Sequence, residues 1–341
     1  MLDKRDAYQD GSIWYYAPNK GAPIAFAILF AASGFMHRLI LIPSKYKSWT
    51  VTGLLPWSAL LFTVGFILRT IGAFGQWDNV PIYISSTVFL LAGPPVYEGV
   101  NFFILGRILY YIPYLSPIHP GRVFSTFVAM GVVIESLTAN GAALVANTNA
   151  TKSRKEVGEA LLKAALILQI CLMAGFVSLA VRFHYNCCRA GLLNKRLKRV
   201  LTVLYISCML ITTRTIYRTE EYFTVTQVHV WADPDKVAPL IKDEWFFWFF
   251  EAVFMYSNTT MLNIFHPMQS LPRSNKIYLA RDGVTEVEGP GYKDPRPFIS
   301  TLLDPFDIIG LIFNRGRQEK YWEADGVVLN GGKEIKPGCH V

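Results

Sequence analysis

Seven apolar runs dominate this chain: about Ala22–Ile42, Leu54–Phe74, Ile82–Tyr110, Val123–Val145, Leu161–Val181, Val200–Tyr222 and Trp245–His266. Each is close to the roughly 20 residues that a helix needs to cross the hydrocarbon core of a bilayer. Inside that core the backbone must satisfy its own hydrogen bonds, so a run of this length has to be helical. A soluble protein of this size would alternate apolar and polar faces, whereas these runs are apolar all round. With 52% of its residues hydrophobic, the chain is expected to be all-α. The expected architecture is a polytopic membrane protein whose seven-transmembrane-helix bundle occupies residues 22–267. Residues 1–21 form a polar extracellular segment with no secretory signal, and residues 268–341 form a cytosolic tail.

The charges orient the bundle. The net charge of +8 comes from connecting loops rather than from a nucleic-acid-binding face. The loop after the fifth run carries Arg182, Arg189, Lys195, Arg196, Lys198 and Arg199 with no acid. Lys45 and Lys47 follow the first run, Arg107 and Arg122 flank the third loop, and Arg273, Lys276 and Arg281 follow the seventh. The fourth loop is the exception, with Lys152, Arg154 and Lys155 offset in part by Glu156 and Glu159. The majority places the N-terminus outside and the C-terminus in the cytosol. Asn149-Ala-Thr151 is then a glycosylation sequon on the outer side. Asn258-Thr-Thr260 also matches but lies within the seventh run. The chain carries no retrieval signal at its end, which favours the plasma membrane over internal membranes.

The five cysteines have no framework or metal-site spacing. Cys171 and Cys208 lie within spans as small apolar fillers. Cys187-Cys188 sits just past the fifth run, where either free thiols or palmitoylation sites fit. From Met268 onward Gly, Pro and charge increase, and the segment reads as soluble or disordered. Within it Asp304-Pro305 can start a short apolar helix over 305–316. That helix would lie on the inner membrane face or pack on the cytosolic helix ends.

Several spans nonetheless carry polar groups that are expensive at membrane depth. They are Arg69 in the second, Glu98 and Asn101 in the third, Glu135 and Thr138 in the fourth, and Gln169 in the fifth. The sixth has Arg214, Arg218 and Glu221, four and three residues apart, forming one charged stripe. In the seventh, Glu244, Glu251 and Asn258 recur every seventh residue on one helix face. Pro94-Pro95 interrupts the third span one turn before Glu98, which turns that helix toward protein or a cavity. The simplest arrangement is a polar core opening outward, with arginines paired to glutamates. Arg218 is expected to face Glu221 and an acid on the seventh helix, Glu251 or Glu244. The bland alternative is that these groups only hold helices in register, at about 1 kcal/mol each.

The chain has no Gly-rich phosphate loop, so it lacks the means to hydrolyse nucleotides for power. The six histidines are scattered without an i, i+4 pair, so no metal site is expected. No Gly-x-Ser-x-Gly nucleophile elbow occurs. No cofactor is implied.

These residues resemble the fungal lipid-translocating exporter family, of the resistance-to-aminocholesterol type, over about Tyr15 to Pro267. The strongest match is Arg214-x-x-x-Arg218-x-x-Glu221-Tyr222, followed by Glu244 and an acid seven residues on. His266-Pro267 matches the end of the last span, Gly158 with Gln169 the fifth, Pro94 and Gly106-Arg107 the third, and Arg69 the second. The chain departs from the family at Glu251, where Asp is usual. It also has Gly131 where the fourth span usually carries Asp, Glu135 one turn later, Thr138 for Gln, Glu98 for a small residue and Phe102 for Tyr. The resemblance implies seven spans and the export or flipping of sphingoid bases, or resistance to toxic amphiphiles.

Three functions remain open on the residues alone. A lipid or amphiphile translocator would pass a head group through the polar core while the tail stays in lipid. In it Arg69, Glu98, Glu135, Gln169, Arg214, Arg218, Glu221, Glu244, Glu251 and Asn258 form the core, with Glu98, Glu135 and Glu251 able to accept an amine. An intramembrane acid–base enzyme, an isomerase or cyclase, would use a buried carboxylic acid as proton donor. A seven-helix sensor would bind a cytosolic partner through the basic loop and tail.

Overall fold

The computed structural model of the chain describes residues 18–41, 49–76, 79–118, 120–146, 151–227, 243–272, 274–290, 327–330 and 333–335. The six long helices are α1 (Ala22–Leu41), α2 (Trp49–Ala73), α3 (Val80–Tyr111), α4 (Pro120–Ala146), α5 (Lys152–Arg189) and α6 (Lys195–Gln227). All six are long and apolar enough to cross a membrane. The seventh run forms a π-helical segment, Phe247–Val253, that continues into α7 (Phe254–Ile264). The polytopic helical bundle expected from the apolar runs is therefore present.

Local sequence sets the helix ends. Asn19 Oδ1 accepts hydrogen bonds from Gly21 N and Ala22 N at 2.8 and 2.9 Å and opens α1. Asn79 accepts from Ile82 N ahead of Pro81 and opens α3. α5 closes on Gly191 at φ +69°, with Leu192 N bonded back to Cys187 O at 3.1 Å. Only glycine adopts that left-handed turn cheaply, and it returns the chain within a few residues into α6. There Asn194 Oδ1 caps Leu197 N at 2.8 Å. α5 has 38 residues, about 57 Å at 1.5 Å per residue. It therefore projects beyond a hydrocarbon core about 30 Å thick.

α2 packs between α1 and α3, α4 packs on α5, and α6 packs on α3, α5 and α7. Aromatic rings fill the α1–α2–α7 contact. Phe30 stacks on Phe62 with ring centroids 4.6 Å apart, and Phe66 stacks on Trp248 at 6.0 Å. Such pairs add roughly 0.5–1.5 kcal/mol beyond their burial. Ile28, Phe35, Val132, Val133, Val181 and Met209 are exposed on the outside of the bundle, as a surface solvated by lipid requires.

Two expectations need correction. Pro94 and Pro95 do not break the third span, because α3 runs through both. Ser58 Oγ donates to the carbonyl of Gly93 at 2.9 Å, tying α2 to α3 beside the prolines. The tail, in turn, contains an antiparallel sheet in the order β1 (Ile277–Leu279), β2 (Glu286–Glu288), β3 (Val327–Asn330), β4 (Lys333–Ile335). Tyr278 pairs with Val287, Val287 with Val328 and Val328 with Ile335. Asp282 and Gly283, at φ +75°, turn the first hairpin. The sheet docks on the bundle end where α3 finishes. Tyr111 OH donates to Glu286 Oε1 and Tyr114 OH to Ala280 O, both at 3.0 Å. Arg107 donates to the carbonyl of Pro272. The sequon at Asn149 and the segment 305–316 lie outside the described residues.

Candidate functional site

At the bundle end opposite the tail sheet, α6 and the π-helical segment share four charges, of which Arg214 and Glu251 are buried and Arg218 and Glu221 partly buried. Arg214 holds Glu251 with two bonds, Nε to Oε2 at 2.8 Å and Nη2 to Oε1 at 2.7 Å. Arg218 Nε reaches the same Oε2 at 2.7 Å, while its Nη1 donates to Glu221 Oε2 at 2.6 Å. Tyr217 OH donates to the other oxygen of Glu221 at 3.3 Å. The Glu251 side chain is 0% exposed and that of Arg214 3%. Two cations and two anions leave the cluster formally neutral, and every oxygen of Glu251 accepts from a guanidinium. Buried charges survive only with that degree of compensation.

The seven-residue π-helical segment lies at this point. A π turn inserts an extra residue into a helix, an arrangement that recurs at functional sites. It also separates two acids that the seven-residue spacing places on one face. Glu251 turns to α6. Glu244 instead accepts from Arg69 Nη2 of α2 at 3.1 Å and from Asn19 N, ahead of α1, at 2.9 Å. Phe247 links the two ion-pair groups. The Arg69 guanidinium lies 4.0 Å from its ring centroid and the Arg218 guanidinium 5.5 Å, so one ring faces two cations.

Deeper in the bundle, Gln169 of α5 donates to Glu98 Oε1 of α3 at 2.8 Å, and both residues are buried. Glu135 of α4 lies within electrostatic reach of Glu98 and Arg214. Among the described residues no side chain donates a hydrogen bond to Glu135. Asn101, one turn from Glu98, donates to Ser207 Oγ at 2.9 Å. Asn258 of α7 is 0% exposed, and among the described residues neither its amide oxygen nor its amide nitrogen meets a hydrogen-bond partner. A buried amide with both ends open is costly, and it lies on the same helix as Glu251. The sequence-derived polar core is thus three groups: Arg69–Glu244, the four charges around Glu251, and Glu98–Gln169 with Glu135 nearby. Asn258 stands apart from all three.

A fourth group escaped the sequence reading. Thr259 Oγ1 meets Ser33 Oγ at 2.9 Å and His37 Nε2 at 3.1 Å, and Asn263 Nδ2 donates to Ser33 Oγ at 2.8 Å. Ser33 and His37 stand four apart on α1, and Thr259 and Asn263 four apart on α7. That spacing puts each pair on one helix face. Hydroxyls in a long apolar run usually bond their own helix, as Thr215 does to Ile211 O, and so give no warning of an interhelical role.

Comparison with known proteins places the chain. The model of the family described as "RTA1 like protein" matches residues 56–274. A protein of Leptosphaeria maculans named "Lipid-translocating exporter-like protein RTA1" is 37% identical over 99% of this chain and 68% of its own length. One of Ajellomyces capsulatus with the same name is 32% identical over 82% of this chain and 87% of its own. A protein of Emericella nidulans named "Probable lipid transporter atnI" is 24% identical over 75% of this chain and 68% of its own. No solved structure matches the chain significantly. The Arg69–Glu244 pair, the charges around Glu251, Glu98 with Gln169, and Glu135 all lie within the matched span, and the chain belongs to the RTA1-like protein family.

Proposed function

We propose that the protein translocates a lipid or amphiphile, with the head group passing along the buried polar groups of the bundle while the tail stays in lipid. The observation that carries this reading is the four-charge cluster around Glu251. Structural register between α6 and α7 needs one polar contact of about 1 kcal/mol, not two guanidinium groups and two carboxylates. Further buried polar groups lie between this cluster and the tail end of the bundle: Asn258, Glu98 with Gln169, and the Thr259 group. Such a set suits a head group that exchanges partners as it moves. The names of the relatives point the same way.

In this reading the guanidinium end receives a phosphate or carboxylate, and the carboxylates Glu98 and Glu135 receive an amine. The N-terminus lies outside, the helical segment Phe247–Ile264 forms the seventh span, and the plasma membrane is the site of action. The test is reconstitution of the purified chain into liposomes carrying a fluorescent phospholipid or sphingoid base in one leaflet. Faster loss of leaflet asymmetry than in protein-free vesicles supports translocation. Unchanged asymmetry with a chemically altered lipid would assign the buried acids to catalysis instead. Unchanged asymmetry with unaltered lipid would leave a sensor as the reading to pursue.

A further inference from the structure

At the end of the bundle opposite the Glu251 cluster, a groove of about 480 Å³ opens between the first turns of α6 and the last turn of α7. Its mouth carries Lys195, Lys198 and Arg199, and its floor includes Ile206, Met261 and Phe265. It lies about 22 Å from the Arg214 cluster along α6, counting 15 residues at 1.5 Å each.

The three cations have no carboxylate partners among the described residues, and no acid lines the groove. No Asp or Glu occurs in the sequence between Glu159 and Glu220. Arg199 contacts instead the ring of Phe265, 5.8 Å from its centroid. Their neighbour Arg196 lies instead within electrostatic reach of Tyr111, at the end of α3. The position also works against stability. Cations are unfavourable at the N-terminal end of a helix, where the macrodipole is already positive. α6 nonetheless begins Lys-Arg-Leu-Lys-Arg. An anion in the mouth would relieve both the mutual repulsion of the cations and the repulsion from the helix end.

The floor decides which anion. Ile206 and Phe265 are 39% and 43% exposed on the lipid-facing side of the bundle. A soluble phosphate would leave that apolar trough unfilled, whereas an acyl chain would fill it. We propose that this groove binds one anionic phospholipid, its phosphate held by Lys195, Lys198 and Arg199 and one acyl chain laid along Ile206, Met261 and Phe265. Basic pockets between membrane helices take anionic head groups on this physical basis. The site is separate from the polar groups assigned to translocation and does not depend on that assignment.

The test uses the purified full chain in detergent, with phosphatidylserine, phosphatidylcholine or soluble glycerophosphoserine added. Binding is read by native mass spectrometry and by the shift in Tm. A retained one-to-one phosphatidylserine adduct and a raised Tm are expected, with no effect of phosphatidylcholine or glycerophosphoserine. The triple variant Lys195→Ala/Lys198→Ala/Arg199→Ala changes only exposed side chains. It should bind phosphatidylserine at least about tenfold more weakly, since each cation near the surface contributes to anionic-lipid attraction. The charge-conserving variant Lys195→Arg/Lys198→Arg/Arg199→Lys should retain binding, and Ile206→Trp should weaken it by obstructing the floor. Equal shifts with phosphatidylcholine, equal shifts with glycerophosphoserine, or undiminished binding in the alanine variant would each overturn the proposal.

Discussion

Arg214 and Glu251 form a two-bond, end-on pair, with Nε–Oε2 at 2.8 Å and Nη2–Oε1 at 2.7 Å, sealed from solvent on both sides. Arg218 shares Glu251 but leans outward to Glu221, whose side chain is 24% exposed. The stability of the cluster therefore rests on Arg214 rather than on Arg218. Arg214→Ala leaves Glu251 with a single cation and should cost about 3–5 kcal/mol, the usual penalty for breaking a buried pair. Arg218→Ala should cost less, because Glu251 keeps both bonds to Arg214. The double variant Arg214→Ala/Glu251→Ala leaves the neutral Arg218–Glu221 pair and should lose less stability than the two single changes added together. Thermal unfolding of the purified variants gives the cycle directly, and strict additivity would show that the pair is uncoupled.

Glu98 and Gln169 call for a different comparison. Glu98→Gln keeps the volume and an acceptor for Gln169 Nε2 while removing the charge. The variant should insert and fold at normal abundance yet translocate several-fold more slowly. Gln169→Leu instead removes the only hydrogen-bond donor that Glu98 has among the described residues, and should cost stability by about 1–3 kcal/mol. Glu135→Gln, with no side-chain hydrogen bond to lose among the described residues, should leave Tm unchanged and slow translocation. Wild-type transport in both glutamine variants would assign these acids to packing.

A glycine in α5 gives a prediction independent of charge. A Cβ built at Gly158 would lie 2.8 Å from Leu144 Cβ and 2.9 Å from the carbonyl of Gly141. The second contact is to backbone, which cannot step aside. Gly158→Ala should therefore force α4 and α5 apart and destabilise by about 1–3 kcal/mol. Gly175→Ala on the same helix has open space around its Cβ and serves as the control, with no loss of Tm.

The docked tail should show a pH signature through Tyr114. Burial, helped by the neighbouring Cys187, pushes its phenol up from the ordinary 10.0 to about 12. The neutral phenol donates to Ala280 O at 3.0 Å. A raised phenol pKa means that the stabilisation is fully present below pH 10 and is lost as pH rises through about 12. The Tm difference between wild type and Tyr114→Phe should be constant below pH 10 and close above it. Absorbance titration at high pH should assign the late-ionising tyrosine by its absence in the variant.

The bundle is legible in the sequence because a bilayer leaves the backbone no alternative to helix. α1 begins at Ala22 and ends within one residue of the expected Ile42. The expected Leu161–Val181 grew to Lys152–Arg189, since polar residues flanking a span can continue a helix outside the membrane. The charged stripe on α6 is likewise legible from its spacing of four and three. Arg218 meets the partners expected of it, Glu221 and Glu251, but both arginines lie on one face, and only packing gives Arg214 the two-bond contact with Glu251. The π-helical segment has no spacing signature, and it invalidates any face argument that counts sevens from Glu244 to Glu251. The tail sheet is made of strands of three or four residues, too short for alternation to show, although Asp282-Gly283 marks its first turn.

Topology gives the last prediction, and it links the groove at the start of α6 to the charges at its end. If the positive loops face the cytosol, Lys195, Lys198 and Arg199 lie in the leaflet that carries anionic lipid, and the Glu251 cluster lies toward the outside. Asn149 is then accessible to the glycosylation machinery, and a tag after Val341 is protected in intact cells. Asn149→Gln should remove a mobility shift that a deglycosylating enzyme also removes, and protease added outside should spare the tag. A cysteine placed at the exposed Val284 in the tail hairpin should react with an impermeant maleimide only after permeabilisation. Labelling of that cysteine in intact cells would invert the bundle. The guanidinium cluster would then face the cytosol and the basic groove the outer leaflet, where anionic lipid is scarce.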